Sequence, residues 1–414
     1  MSKSLCASAF FVIVFALNSG YAYTIINDTP ALILLLAGVV TLVIGNLPGR
    51  IKKYRGNSIA YGLFALLAVS ILLSFVAHSD FGSLGGYAHQ LAVIACAALF
   101  TRVVPFYNFA VVFKVLMNIV TTLSIMAWFW VNLIGLSLPL TKIQSTAHTY
   151  FNGLLFFVFQ DDPSKLMGPF WEAGLYASMA IYAIILTLYI APDKRKPITI
   201  PIMLIGILLT ASTAGYTLLL MVFIMWVSKK HRGRGSVFAV AFLMAILSLV
   251  VIYYDEIIIW LSQTLPDVFG KMLGVSYSRS TRLNGPIVDL IMFVQEPSLG
   301  VGMGEYLRQW PLIAVQFDVE SRTSTITYFL ANYGVLSIAF LLLVIRASFG
   351  NAELSLNEKV CLLAILLSIL SKEPHYFNLV TLTLLCYLAS SDKRFRLAGM
   401  SAVKDNGELI SRVG

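Results

Sequence analysis

Residues 58–78 read SIAYGLFALLAVSILLSFVAH, twenty-one residues with no lysine, arginine, aspartate or glutamate. As a helix rising 1.5 Å per residue, that stretch is long enough to cross the roughly 30 Å hydrocarbon layer of a bilayer. Similar apolar stretches recur along the chain at 4–23, 30–47, 85–104, 109–133, 171–191, 198–212, 214–228, 236–254, 325–346, 359–371 and 378–391. With 58–78 they make twelve expected crossings. Of the 414 residues 58% are hydrophobic and only 12% are charged, against about 25% charged in an ordinary soluble chain. That balance excludes a soluble enzyme. The apolar runs are continuous and do not alternate, which excludes an outer-membrane barrel. The expected fold is an all-α polytopic membrane protein with about 12 transmembrane helices, forming one integral membrane domain over 1–414.

Basic residues orient such a chain, because lysine and arginine collect in cytoplasmic loops. Clusters at Arg50, Lys52, Lys53 and Arg55, at Lys194, Arg195 and Lys196, at Lys229, Lys230, Arg232 and Arg234, and at Lys393, Arg394 and Arg396 are therefore expected inside, with both termini. A cleaved leader over 1–24 competes for the first span, yet removing it would reverse the parity of every later basic loop. The net charge of +9 is mostly this topology signal. No basic soluble domain offers itself to nucleic acid. Between Lys196 and Lys229 an even number of crossings must fit into about 31 residues, which predicts a shallow helical hairpin bent at Thr210–Tyr216. Such a bend is expected in a depression open to water, since unpaired backbone is tolerated only against protein or water. One long helix with a misread basic loop is the alternative.

Two long loops, about 134–170 and 255–324, then fall on the periplasmic side. The spans carry almost no charge, His89 being the main interior exception, whereas a transporter or flippase would line its path with ionisable groups. Chemistry is therefore sought in the loops. In the second, Asn284 or Gly285 reads as an N-cap and Pro286 as the first helical residue, with Ile287, Leu290, Ile291 and Val294 as one apolar face. Arg279 and Arg282 would then stand just before a helix N-terminus, where free N–H groups and guanidinium forks suit a pyrophosphate. The competing reading pairs these arginines with Asp289, Glu296 or Glu305, or with lipid phosphates. Alternate glycines at 300, 302 and 304 allow a tight turn or a close approach to a ligand, and a structural turn is the default. In the first loop Glu172 opens the sixth span. It can serve the helix dipole or accept a proton from a sugar hydroxyl. Asp161 and Asp162 could hold a divalent cation but read more simply as solvated acids, so no metal and no cofactor is expected. His148 and His375 read as surface or packing residues. Cys6, Cys96, Cys361 and Cys386 lie in apolar runs with no CxxC pairing, which supports neither disulfides nor zinc.

Taken in order, Gly168-Pro169-Phe170-Trp171-Glu172-Ala173-Gly174, Leu209-Thr210-Ala211-Ser212-Thr213-Ala214-Gly215-Tyr216, Arg282 through Pro297 to Gly304, and Thr323-Ser324-Thr325 leading to Asn332-Tyr333-Gly334 resemble bacterial O-antigen polymerases of the Wzy type, in the superfamily that also holds the O-antigen ligases. The recognisable motifs cover roughly residues 165–345. The resemblance implies an inverting, metal-independent glycosyltransferase of the GT-C-like class in the bacterial inner membrane, with its active site at the periplasmic face. Its substrate would be an undecaprenyl-pyrophosphate-linked oligosaccharide, its surroundings membrane lipid, and a chain-length regulator an expected partner. Carried over, Arg282 and Arg279 would hold the pyrophosphate and Glu172 would be the base or acceptor-positioning group. Arg308, Arg322, Tyr216, Gly300 and Gly302 are substrate-binding candidates. Ligases typically carry an arginine just after the serine of the bend and a histidine before the tenth span; Thr213 and about Thr323 stand there instead, which favours polymerase over ligase. Ala173 replaces a proline common in the family. A flippase or transporter is the non-enzyme alternative.

Overall fold

The computed structural model of the chain describes residues 58–104, 106–135, 140–144, 149–153, 155–160, 162–190, 198–230, 276–319, 321–322, 324–351, 354–372 and 374–390. The expected spans 4–23, 30–47 and 236–254, and most of the basic clusters, lie outside these residues. Twelve α-helices are described: α1 (Ser58–His78), α2 (Leu84–Val103), α3 (Phe106–Asn132), α4 (Ala173–Ile185), α5 (Thr199–Leu208), α6 (Thr213–Lys230), α7 (Ser276–Gln295), α8 (Met303–Ala314), α9 (Thr325–Tyr333), α10 (Ile338–Phe349), α11 (Leu356–Lys372) and α12 (Leu379–Ala389). The fold is thus mostly helical. Three of its segments, Ile59–His78, Phe81–Arg102 and Phe106–Asn132, are long and apolar enough to cross a bilayer, which associates the chain with a membrane. Five shorter apolar helices accompany them.

The helices form two groups. One joins α3, α4, α5 and α6; the other joins α1, α2 and α7 to α12; α6 against α11, and Phe106 and Phe109 of α3 against Tyr387 and Phe100, link them. Every residue of α4 is buried, which makes it the centre of the first group. Where lipid is as apolar as leucine, helices associate through close packing, and small residues permit it. On this account Gly206 of α5 stands against the Tyr176 ring and Gly215 of α6 against Ala177. In the second group the Tyr387 hydroxyl donates to the Val104 carbonyl at 2.6 Å, fastening α12 to the end of α2. Cys96, Cys361 and Cys386 are free and buried, and His89 stacks on Phe377.

The structure adds to the expectations at some points and corrects them at others. The first long loop is not irregular: β1 (Lys142–Gln144), β2 (Thr149–Asn152) and β3 (Phe157–Phe159) form an antiparallel sheet, with Lys142 opposite Phe151 and Phe151 opposite Val158. The expected single span 325–346 is broken at Gly334, whose φ of 71° ends α9. The resulting helices of 9 and 12 residues are about 14 and 18 Å long, so neither crosses a bilayer alone. The second-loop helix starts at Ser276, well before Pro286, which lies inside it. Tertiary packing here overrides the start signal: the Asn284 amide donates to the Phe317 carbonyl at 2.9 Å and does not cap its own helix. The expected residues of that helix do share one face, and it is the outer one. Ile287, Leu290 and Val294 point outward, Val294 at 72% exposure, while Val288, Asp289 and Met292 are buried. An outward apolar stripe is stable where lipid reaches it, so apolar periodicity in a membrane chain does not tell the inside from the lipid side. Finally, the bend between α5 and α6 pairs its own backbone, while Ala211 and Tyr216 stay exposed. Leu209, Thr210 and Ala211 donate their N–H groups to Ile205, Ile207 and Leu208, the Ser212 N–H donates to the Thr210 hydroxyl, and Thr210 is buried.

Candidate functional site

The four segments that carry the resemblance meet in two pairs. In the first pair the Leu166 N–H donates to the Leu209 carbonyl at 2.9 Å, tying the end of the first loop to the α5–α6 bend. Gly168, at φ 64°, lets the chain pass against the Tyr176 ring. The Tyr176 hydroxyl donates to Thr121 at 2.8 Å. The sheet closes over the start of α4 through a small apolar cluster of Tyr150, Phe157, Met167 and Ala173, with Trp171 packed beside it. Glu172 is the N-cap residue of α4 in extended backbone, but its carboxylate makes no cap bond. It is half-buried. Tyr216, at the start of α6, is partly exposed and donates to the Leu208 carbonyl at 2.9 Å.

In the second pair the glycine segment after α7 runs beside the end of α9. The Val301 N–H donates to Ala331 at 2.9 Å, Gly302 to Asn332 at 3.2 Å, and Val335 to Pro297 at 2.8 Å. Gly300 and Gly334, both near φ 71°, bring the two backbones together: a side chain on Gly300 would run into the Asn332 backbone, and one on Gly334 into the Ser298 carbonyl. Gly302, also at positive φ, lies against His78. Packing thus accounts for the glycines at 300 and 302.

Between this seam and the end of α8 lies a buried acid. Asp289 is 3% exposed and accepts from the Tyr306 hydroxyl at 2.7 Å, the Trp310 indole at 3.0 Å and the Thr327 hydroxyl at 2.6 Å. Burial pushes its carboxyl up to about 6 despite these donors and the nearby Arg322. Loss of water penalises the charged form, and three donors and one cation offset only part of that penalty. Arg322 is half-buried and lies over the Tyr306 and Trp310 rings at 5.7 Å from each centroid. The two rings that hold Asp289 therefore also carry Arg322, so the arginine is fixed by a cation–π seat beside a carboxylate. Tyr328 stacks on Tyr376 at 4.0 Å and its hydroxyl accepts from Gln90, which also takes the Tyr333 hydroxyl. Of the cation candidates whose side chains are described, Arg322 alone is held this way.

Arg279 and Arg282 fall in the first two turns of α7, not ahead of it, and their side chains lie outside the described residues. Arg308 is exposed and grips Glu305 through Nε at 3.0 Å and a terminal nitrogen at 2.7 Å. That contact holds the Glu305 carboxyl below the usual carboxylate range. Asp162 pairs with Lys165 at 3.1 Å, while Asp161 and His148 lie outside the described residues. His375 is fully buried, with Nδ1 at 2.9 Å from the Thr381 hydroxyl. Among the described residues no cluster of three metal-ligating side chains occurs. Glu172 belongs to the first pair and Arg322 to the second, and one continuous buried core runs through the helices of both.

A cavity of about 810 Å³ opens where the turn after α1 meets the end of α7 and the start of α8. Ser79, at φ 49°, turns the chain sharply there. The turn aims Asp80 at the Gly304 N–H, 2.5 Å away, and His78 Nε2 at the Gly300 carbonyl, 2.8 Å away. A carbonyl only accepts, so Nε2 carries the proton. His78 and Asp80 have no motif signature in the sequence. Their one local signal is a short polar break, Ser79-Asp80, after an uninterrupted span.

No known protein family, curated protein or solved structure matches the chain.

Proposed function

We propose that the protein is a surface-polysaccharide polymerase of the bacterial inner membrane, joining undecaprenyl-pyrophosphate-linked oligosaccharide repeats on the periplasmic side. The observation that carries the reading is the placement of the motif segments: Leu166, two residues before the first, donates to Leu209 of the second, and Val301–Gly302 of the third donate to Ala331–Asn332 of the fourth. In the reaction the acceptor hydroxyl attacks the anomeric carbon of the growing chain. The bond from that carbon to phosphate breaks with its electron pair leaving on the pyrophosphate, and the hydroxyl proton goes to a base. Glu172, a half-buried carboxylate free of any cap bond, suits that base. A departing pyrophosphate needs cationic stabilisation more than an acid. Arg322 in its aromatic seat, with Arg282 and Arg279 on α7, suits that task. Twelve spans, cytoplasmic termini and a chain-length regulator as partner belong to the same reading.

The test is a reaction with the full chain in bilayer discs and lipid-linked repeat units as the sole glycan. Release of undecaprenyl pyrophosphate together with dimers and longer oligomers supports the polymerase. Turnover that appears only when a lipid A–core acceptor is added makes the protein a ligase, the runner-up that shares nearly every motif.

A further inference from the structure

We propose that the cavity between the turn after α1 and the start of α8 is a glycan subsite that binds the sugars of a repeat unit and excludes its pyrophosphate; the inference rests on the polymerase reading and adds to it where the sugars lie. The cavity is an open cleft of about 810 Å³, a volume within the about 300–1,000 Å³ of small-ligand sites. The wall chemistry is that of hydroxyl recognition. Gln295 and Gln309 each offer a donor and an acceptor, Glu296 and Asp80 accept, and Arg308 donates. A sugar hydroxyl, which both donates and accepts, is met by such a mixture.

The electrostatics separate sugar from phosphate. Three carboxylates, Asp80, Glu296 and Glu305, face the cavity against one guanidinium, Arg308, and that guanidinium is already bonded to Glu305. A pyrophosphate placed there would meet net negative charge, whereas a neutral or amino-substituted sugar would not. The seat suited to an anion is elsewhere, at Arg322 over Tyr306 and Trp310. From Asp289, which holds those two rings, to Glu296 at the cavity is seven residues along and just past the end of α7, about 10 Å of helix rise. A lipid-linked glycan with its phosphates at the arginine seat would extend its sugars over that distance.

The walls are held in place before any ligand arrives. Asp80 is fixed by the N–H groups of Gly304 and Ser83, and His78 by the Gly300 carbonyl. Phe81 stands at the rim with 73% of its surface exposed, its ring braced by Phe75 at 5.7 Å. An exposed ring with a fixed orientation can stack on the apolar face of a pyranose.

The test uses the full chain in bilayer discs and two probes: a single repeat oligosaccharide released from the host's own polysaccharide by mild acid, and inorganic pyrophosphate. Binding of each is measured by calorimetry. Glu296→Gln, Gln309→Ala and Phe81→Ala should each weaken the oligosaccharide about tenfold and leave pyrophosphate unchanged, as expected for loss of one contact to a polar ligand. Arg322→Ala should do the reverse. Gln309 and Phe81 lie at the surface, so those variants keep the inference testable if Glu296→Gln disturbs folding. The inference is overturned if the oligosaccharide binds all three variants as well as wild type, if it fails to bind wild type, or if pyrophosphate competes with it. The polymerase reading fails independently, through the oligomer assay above.

Discussion

The two long loops of this chain solve the same problem in opposite ways. The first folds as a three-stranded sheet whose cover over α4 is apolar, built on Tyr150, Phe157 and Met167. The second folds as two helices whose heart is a buried carboxylate with three donors. Apolar cover is cheap and tolerant, whereas a buried charge is costly unless every partner is in place. The difference teaches where the chain carries its strictest geometric demands, namely at the seam of α7, α8 and α9, beside both Arg322 and the cavity.

The comparison is broken most severely at the glycine seam. Gly300→Ala combines positive φ with a clash against backbone that cannot move aside, and we expect a loss of about 3 kcal/mol or more from strain and overpacking together. Thermal unfolding in detergent checks it; a variant as stable as wild type would show that the seam is not rigid. Asp289→Ala comes next, at about 3 kcal/mol, because it leaves the Tyr306, Trp310 and Thr327 donors facing a void. Phe157→Leu in the first loop should cost about 1 kcal/mol and act locally, since its cluster is small and the swap keeps most of the volume. A first-loop loss larger than that of Asp289→Ala would reverse the ranking of the two loops.

Asp289 also gives the second loop a pH signature. Its folded carboxyl at about 6 lies above the ordinary 3.8, so the folded state holds the proton more tightly. Its ionisation costs stability, fully above about pH 6 and not at all below about pH 4. The difference between wild type and Asp289→Asn should therefore move in favour of wild type by about 3 kcal/mol as pH falls through that window. Unfolding curves for the two proteins at several pH values would measure it, and parallel curves would place the carboxylate in water. The smallest effect belongs to Arg308→Ala, with no resolvable shift of the unfolding midpoint, because its ion pair with Glu305 is exposed.

Much of the helical framework was legible in the sequence, since 58–78, 85–104 and 109–133 needed only length and the absence of charge. The hairpin at 198–228 followed from the basic residues on both flanks. What was not legible depended on tertiary contacts. Pro286 gave a start signal that the contact of Asn284 with Phe317 overrode. The stripe Ile287, Leu290, Val294 is legible as one face, but its outward direction is not, because lipid and core attract the same side chains. Of the candidate site, Arg322 is legible as a substrate-binding candidate, but its surroundings are not. Its seat on Tyr306 and Trp310 joins residues 12 to 16 positions apart, and His78 and Asp80 lie more than 200 positions from the glycines they touch.

The most direct measurement is a surface-polysaccharide ladder from host cells deleted for this gene and complemented, at matched membrane levels, with wild type, Arg322→Ala, Arg282→Ala or Glu172→Gln. The account predicts core carrying a single repeat in the deletion, a full ladder with wild type, and loss of the ladder with each of the three variants. Bare core with long polymer left on its lipid carrier, or an unchanged ladder in the deletion, would contradict it.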